Sequence, residues 1–313
     1  MKHLERAFDH QNQWWKYLVI ILAGFLGGQI LGAIPLMVVV AVKVTQPGSP
    51  GFKAEDMSDL TKFGISSNVS LVLMLLPFVT SLIITALLFK PLHKRTVVEV
   101  INGTRSFRWQ RFFFSFFVWG LLLLAIFGIE YFRNPANYTF RFNTATFIPL
   151  AIISLVMIPL QTTYEELLFR GYLTQGVAAW TRSRWMAILI PGILFGLIHI
   201  ANPEISEYGL LLTLPQYILF GIVFGMITVL DDGIEATMGA HAINNIFACI
   251  VLTFKASALQ TDALFLQHKI DARHDLFVFA IVCVVFLFIL KSRYKWNFSI
   301  LNERIKAPGE QLD

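Results

Sequence analysis

The chain has 313 residues, of which 56% are hydrophobic and 14% are charged. A water-soluble domain of this length needs more polar surface to cover its core, so a soluble globular fold is excluded. The formal net charge of +5 would suit a nucleic-acid partner. However, the basic residues fall in short loops between apolar runs, where they act as topology signals and contacts for anionic lipid, and no nucleic-acid surface is expected.

Apolar stretches of about 17–25 residues, each able to cross about 30 Å of hydrocarbon, recur from end to end. They lie at 17–42, 69–89, 112–132, 145–164 (extendable to 180), 185–201, 211–230, 236–254 and 275–291. The fold class is therefore all-α, a polytopic transmembrane helical bundle of about eight spans. Residues 1–16 are polar or mixed, and the span that follows is longer than the apolar core of a signal peptide, so it reads as an uncleaved anchor. That first span carries Gly24, Gly28 and Gly32 on one face, a pattern that lets helices approach closely. Packing within the chain is expected ahead of self-association.

With both termini cytoplasmic, 17 Lys and Arg residues fall on the inner side and eight on the outer side, which supports that orientation. The expected localisation is an integral, multi-pass membrane protein, in the cell membrane if the source is prokaryotic. The expected parts are a cytoplasmic N-terminal segment (1–16), N-terminal transmembrane helices (17–144), a core (145–255) and a last helix with its cytoplasmic tail (256–313). No pair of broken helices repeats between halves, as an inverted-repeat transporter would require. The two cysteines, Cys249 and Cys283, each lie within a span and read as small buried apolar groups, not a disulfide.

Ionisable side chains inside a bilayer are costly and mark function by default. Here they concentrate in the fourth, fifth and seventh spans, in pairs four residues apart: Glu166 with Arg170, Phe195 with His199, and His241 with Asn245. Glu166 and Arg170, with the acid first, have the favourable order for an ion pair within one helix. Glu165 points about 100° away from its neighbour and cannot share that partner equally. Glu165, His199, His241 and Asn245 are expected to share one site. Their depths agree if the fourth helix continues to Trp180, which puts Glu165 about 22 Å and His199 about 21 Å from the inner surface. Pro149 or Pro159 would then kink this long helix, or its first turns would lie in the outer interface. His241 lies about two turns from the acidic loop "DDGIE", so that loop is expected to be recessed in a water-filled opening.

Two chemistries fit these groups. A glutamate and an imidazole can activate water as general base and acid, with a second histidine and an asparagine donating to an oxyanion. Alternatively Glu165, His199 and His241 can hold a divalent metal such as zinc. Spacing does not choose between them. No His-Glu-x-x-His is present, so the zincin arrangement is excluded.

At these residues the sequence resembles the CPBP family of CAAX proteases and bacteriocin-processing enzymes, also called the Abi family. Its motifs Glu-Glu-x-x-x-Arg, Phe-x-x-x-His and His-x-x-x-Asn/Asp appear in order as "EELLFR" (165–170), "FGLIH" (195–199) and "HAINN" (241–245). The resemblance covers about 145–255. It implies an intramembrane endopeptidase acting on a peptide or protein substrate; eukaryotic members remove the last three residues of prenylated CAAX proteins. Carried over by motif, Glu165 activates water with His199, His241 and Asn245 stabilise the oxyanion, and Glu166 pairs with Arg170. Members are classed as metalloproteases, although a metal-free glutamate mechanism has also been put forward. Two other readings compete: a non-catalytic immunity or scaffolding protein, disfavoured by the intact motifs, and a proton-coupled transporter, disfavoured by the lack of repeats.

Overall fold

The computed structural model describes residues 2–8, 12–48, 51–52, 57, 59–104 and 106–307. Ten helices organise it: α1 (Trp14–Val44), α2 (Ser67–His93), α3 (Val97–Asn102), α4 (Trp109–Arg133), α5 (Thr144–Thr181), α6 (Arg184–Leu197), α7 (Pro203–Tyr208), α8 (Leu210–Asp231), α9 (Glu235–Ile250) and α10 (Ala272–Tyr294). Several start at side-chain caps that take up otherwise unpaired backbone donors. Asn143 caps α5, Ser183 caps α6 and Asp271 caps α10, while Thr96 and Glu99 form a reciprocal box on α3.

Six of these helices, α1, α2, α4, α5, α8 and α10, are long and apolar enough to cross a membrane. The chain is a multi-pass membrane protein. The fifth and seventh expected spans are helical but shorter: α6 has 14 residues and α9 has 16. Each gives way to other structure before its apolar run ends. α6 stops at Leu197, leaving His199 in a turn, and residues 252–254 of the seventh stretch form a strand. α6 is apolar and keeps one face exposed, with Met186, Ile190, Ile193 and Leu197 on it, whereas α9 can be polar because neighbours surround it: its first eight residues, Glu235 to Ala242, are all buried.

Lipid-facing surface runs along the long helices. Ile30, Leu87, Phe117 and Val156 are among many large apolar side chains left exposed on the long helices, the expected outer surface of a protein dissolved in hydrocarbon. α1 packs on α2, and the three glycines set that contact. A Cβ on Gly28 would lie 2.5 Å from the Cα of Ser81, and Gly24 and Gly32 lie equally tight against Thr85 and Pro77. The glycine face is thus used within the chain.

α5 runs continuously for 38 residues, with Pro149 and Pro159 inside it. It is roughly 57 Å long at 1.5 Å per residue, more than a bilayer needs. Its first half exposes Ile148, Ile152 and Val156, whereas from Tyr164 to Ala178 it is almost wholly buried. The expected extension of the fourth span to Trp180 is therefore present. Its regularity breaks at Leu167–Leu173, a stretch of wider π-helical turns directly after the two glutamates. Such turns recur at functional sites. The Thr174 hydroxyl donates to the Phe169 carbonyl at 3.0 Å, helping to satisfy the altered ladder.

At one end of the bundle a small sheet forms from β1 (Tyr138–Phe140), β2 (Leu252–Phe254) and β3 (Phe265–Gln267), with β3 central, antiparallel to β1 and parallel to β2. At the opposite end the acidic loop after α8 is recessed, as expected, but protein covers it and not a water-filled opening. Arg108 pairs with Glu235 at 2.5 Å, and Arg111 with Asp231 at 2.8 Å. The Trp296 indole donates to Asp231, and the backbone amides of Lys2 and His3 donate to Asp232. Two arginines at the start of α4 thus neutralise, and donors near both ends of the chain hydrogen-bond, a loop that sequence alone leaves looking hydrated. Cys249 and Cys283 are both free and buried, as expected.

Candidate active site

α5 supplies Glu165 and Glu166, the α6 terminus supplies His199, and α9 supplies His241 and Asn245. α9 packs against both α4 and α5, and α6 packs against α8. A cavity of about 480 Å³ lies among these elements, and Glu165, His199, His241 and Asn245 all line it. Glu166 does not reach it. The two glutamates, 100° apart on one helix, thus divide: one faces the chamber and the other is fully buried behind it.

Glu166 is held from two sides. The Arg170 guanidinium donates to its Oε1 at 2.9 Å, one helical turn on. The same oxygen lies 2.8 Å from His241 Nδ1. A carboxylate already paired with arginine is an acceptor, so His241 Nδ1 carries the hydrogen and Nε2 is turned the other way. Nε2 lies 3.5 Å from Glu165 Oε2, a close electrostatic contact beyond ordinary hydrogen-bond length. Arg170 is further fixed by the face of Phe195, 4.0 Å from its guanidinium carbon. The "Phe-x-x-x-His" phenylalanine therefore braces the ion pair.

Glu165 accepts a 2.6 Å hydrogen bond from Gln161, whose own carbonyl accepts from Asn245 at 3.1 Å. Asn245 also accepts from Asn244, and Asn244 from the Trp119 indole. The carboxamide of Asn245 has two N–H groups, and Gln161 takes one of them. His199 turns its Nδ1 to the Phe195 carbonyl at 2.7 Å, so the four-residue spacing holds the ring although the helix has ended. Its ring stacks on Tyr217 at 4.4 Å, and the Tyr217 hydroxyl accepts from Asn202.

Among the described residues, no three His, Cys, Asp or Glu side chains gather closely enough to hold a metal ion. Nδ1 of His241 is held by the Glu166 carboxylate and Nδ1 of His199 by the Phe195 carbonyl, contacts that orient a general acid or base and a metal-ligating histidine alike.

Residues 144–247 match the family described as type II CAAX prenyl endopeptidase Rce1-like. The chain is also 32% identical over 260 residues to YyaK of Bacillus subtilis (strain 168), itself called an uncharacterized protein, covering 82% of this chain and 84% of that one. This chain belongs to the Rce1-like type II CAAX prenyl endopeptidase family. All three family motifs fall inside the matched region and contribute to the one constellation described above.

Beyond those motifs, this Rce1-like chain builds its site with residues that sequence reading missed. Gln161 links Glu165 to Asn245, and it stands four residues before Glu165, the same helical interval as the three recognised pairs. Asn244 and Trp119 support Asn245 from behind. Tyr217 and Asn202 position His199, and no spacing rule points to them.

Proposed function

We propose that this chain is an intramembrane endopeptidase that hydrolyses a peptide bond with water activated in the chamber, its catalytic unit lying within 145–255. The observation that carries this reading is the division of the glutamate pair around His241. Glu166 fixes the imidazole from the protein side, while Glu165 meets the other nitrogen at the chamber wall.

In the proposed reaction a water bound between Glu165 and His199 gives up a proton to Glu165 as its oxygen attacks the scissile carbonyl. The developing oxyanion receives hydrogen bonds from the free N–H of Asn245 and from His241 Nε2–H, the ring carrying a proton on each nitrogen as it bridges Glu166 and Glu165. The proton then passes to the leaving amine, completing hydrolysis. Gln161 keeps Glu165 and Asn245 at a fixed separation through both steps. The apolar part of the lining, including Leu75, Phe78, Leu123 and Phe247, suits an apolar stretch of substrate, lipid-modified or not.

The excess of basic residues at the end opposite the sheet argues that this end is cytoplasmic, with both termini inside. The chamber then extends toward the extracytoplasmic face, where Glu204, Ser257 and Asp275 line it.

The test is turnover of a quenched peptide library by detergent-purified protein, wild type against Glu165→Ala. Cleavage that disappears in the variant is the expected result. A library left intact by the wild type under conditions where it is folded would favour the non-catalytic scaffold.

A further inference from the structure

The mechanism leaves two acidic groups of the chamber unused, Glu204 and Asp275, and Glu204 is the more buried. Glu204 stands in the first turn of α7, is 9% exposed and lines the cavity. Its Oε1 accepts a 2.7 Å hydrogen bond from the backbone of Ala258. Its Oε2 is buried with no hydrogen-bond partner among the described residues. A buried polar atom in that state calls for an explanation, and one common explanation is a missing ligand. The surroundings say which kind. Asp275 lines the same cavity, and no Lys or Arg is among its lining residues, so nothing within the chamber neutralises the carboxylate. Burial pushes the Glu204 carboxyl above its ordinary range, so a cationic partner would favour its charged form.

Glu204 is tied to the catalytic groups by a short path. Two residues earlier, Asn202 donates to the Tyr217 hydroxyl, and Tyr217 stacks on His199. A group held at Glu204 therefore sits one side-chain layer from His199, within the span of a bound peptide.

We infer that Glu204 is a specificity-determining residue, its free oxygen receiving a cationic group of the substrate peptide as the peptide lies across His199. The cation is an ammonium or guanidinium, from a lysine or arginine side chain or from a free amino terminus. This inference rests on the peptidase reading for its consequence in turnover, but binding tests it separately. The competing role is purely structural, the Oε1 bond to Ala258 alone. Glu204→Gln separates the two, because the amide oxygen still accepts from Ala258 while the charge is gone.

The experiment compares N-acetylated apolar peptides carrying lysine, arginine, norleucine or glutamate at one position, with the unacetylated norleucine peptide as the amino-terminus arm. Binding is measured on Glu165→Gln and on Glu165→Gln/Glu204→Gln by thermophoresis, and cleavage on wild type and Glu204→Gln. The expected result is a preference of about tenfold for a cationic peptide over acetylated norleucine, the order of one charge-assisted hydrogen bond. It should collapse to within about twofold in Glu204→Gln. Preference for lysine and arginine identifies a side-chain subsite; preference for the unacetylated peptide alone identifies an amino-terminal one. Equal binding of cationic and neutral peptides, no binding of any peptide, or a preference unchanged in Glu204→Gln would overturn the assignment. Preferential binding without any cleavage would instead remove the peptidase reading and leave the cation subsite standing.

Discussion

Glu166 meets His241 across the α5–α9 contact, its Oε1 2.8 Å from the ring Nδ1. One carboxylate oxygen thereby ties an arginine on its own helix to an imidazole on another. The adjacent Glu165 takes no part in that tie and faces the chamber.

Loss of the two glutamates should therefore differ in kind. Glu166→Gln leaves the Arg170 guanidinium buried without its counter-charge and weakens the hold on His241, so it should destabilise the fold by about 3–5 kcal/mol and lower activity as well. Glu165→Gln keeps the Gln161 contact within reach and should stay within about 1 kcal/mol of wild type, with turnover reduced at least about 100-fold. Thermal unfolding in detergent, read beside peptide cleavage, checks both. Equal losses of melting temperature would contradict this division.

Gln161 predicts a different signature. Among the described residues it has no hydrogen bond to Arg170 or to a histidine, but it donates to Glu165 and accepts from Asn245. Gln161→Leu should lower kcat about 10- to 100-fold through misplacement of both groups, with KM little changed. A change confined to KM would mean that Gln161 contacts substrate and does not position the catalytic groups.

These pairs explain what could be read in advance. Glu166 with Arg170, and His241 with Asn245, lie within single helices, where a four-residue interval fixes a shared face whatever the tertiary structure. The glutamate split followed from the same geometry. Long apolar runs likewise gave the helices, because a bilayer imposes their length. What escaped depends on contacts between elements. Asn202 reaches Tyr217 across a turn, and the Arg108–Glu235 pair joins segments 127 residues apart. Nothing local marks β1 or β3, three residues each, as strands.

The N-terminal segment gives a pH-dependent prediction. His3 is fully buried, its Nε2 3.1 Å from the Val100 carbonyl. Burial lowers its pKa from 6.5 to about 4, against the opposing pull of Asp232. The folded state therefore prefers the neutral ring, and an unfolded chain binds the proton more readily. This contribution to stability is fully present above about pH 6.5 and is lost as pH falls toward about 4. His3→Gln should remove that part of the acid sensitivity, seen as a flatter dependence of melting temperature between those values. An unchanged slope would place the sensitivity elsewhere.

The last prediction concerns metal. Zinc needs three protein donors converging at about 2 Å with a fourth position open to water. Here His241 presents Nδ1 to Glu166 and Nε2 to Glu165, so its only nitrogen facing the chamber already confronts a carboxylate. His199 would have to bring Nε2 to the same point while Nδ1 stays on the Phe195 carbonyl. The remaining site residue, Asn245, offers a carboxamide, a weak zinc donor but a good hydrogen-bond donor to an oxyanion. The proposed reaction uses these residues for proton transfer and oxyanion binding, and among the described residues no three His, Cys, Asp or Glu side chains converge. Protein dialysed against a chelator and shown metal-free by elemental analysis should retain full turnover, and Asn245→Asp should impair it by removing an N–H donor. Stoichiometric zinc whose removal stops cleavage and whose return restores it would reverse the assignment. It would require His199 and His241 to rearrange around the ion, with Glu166 still holding Nδ1 of His241 from behind.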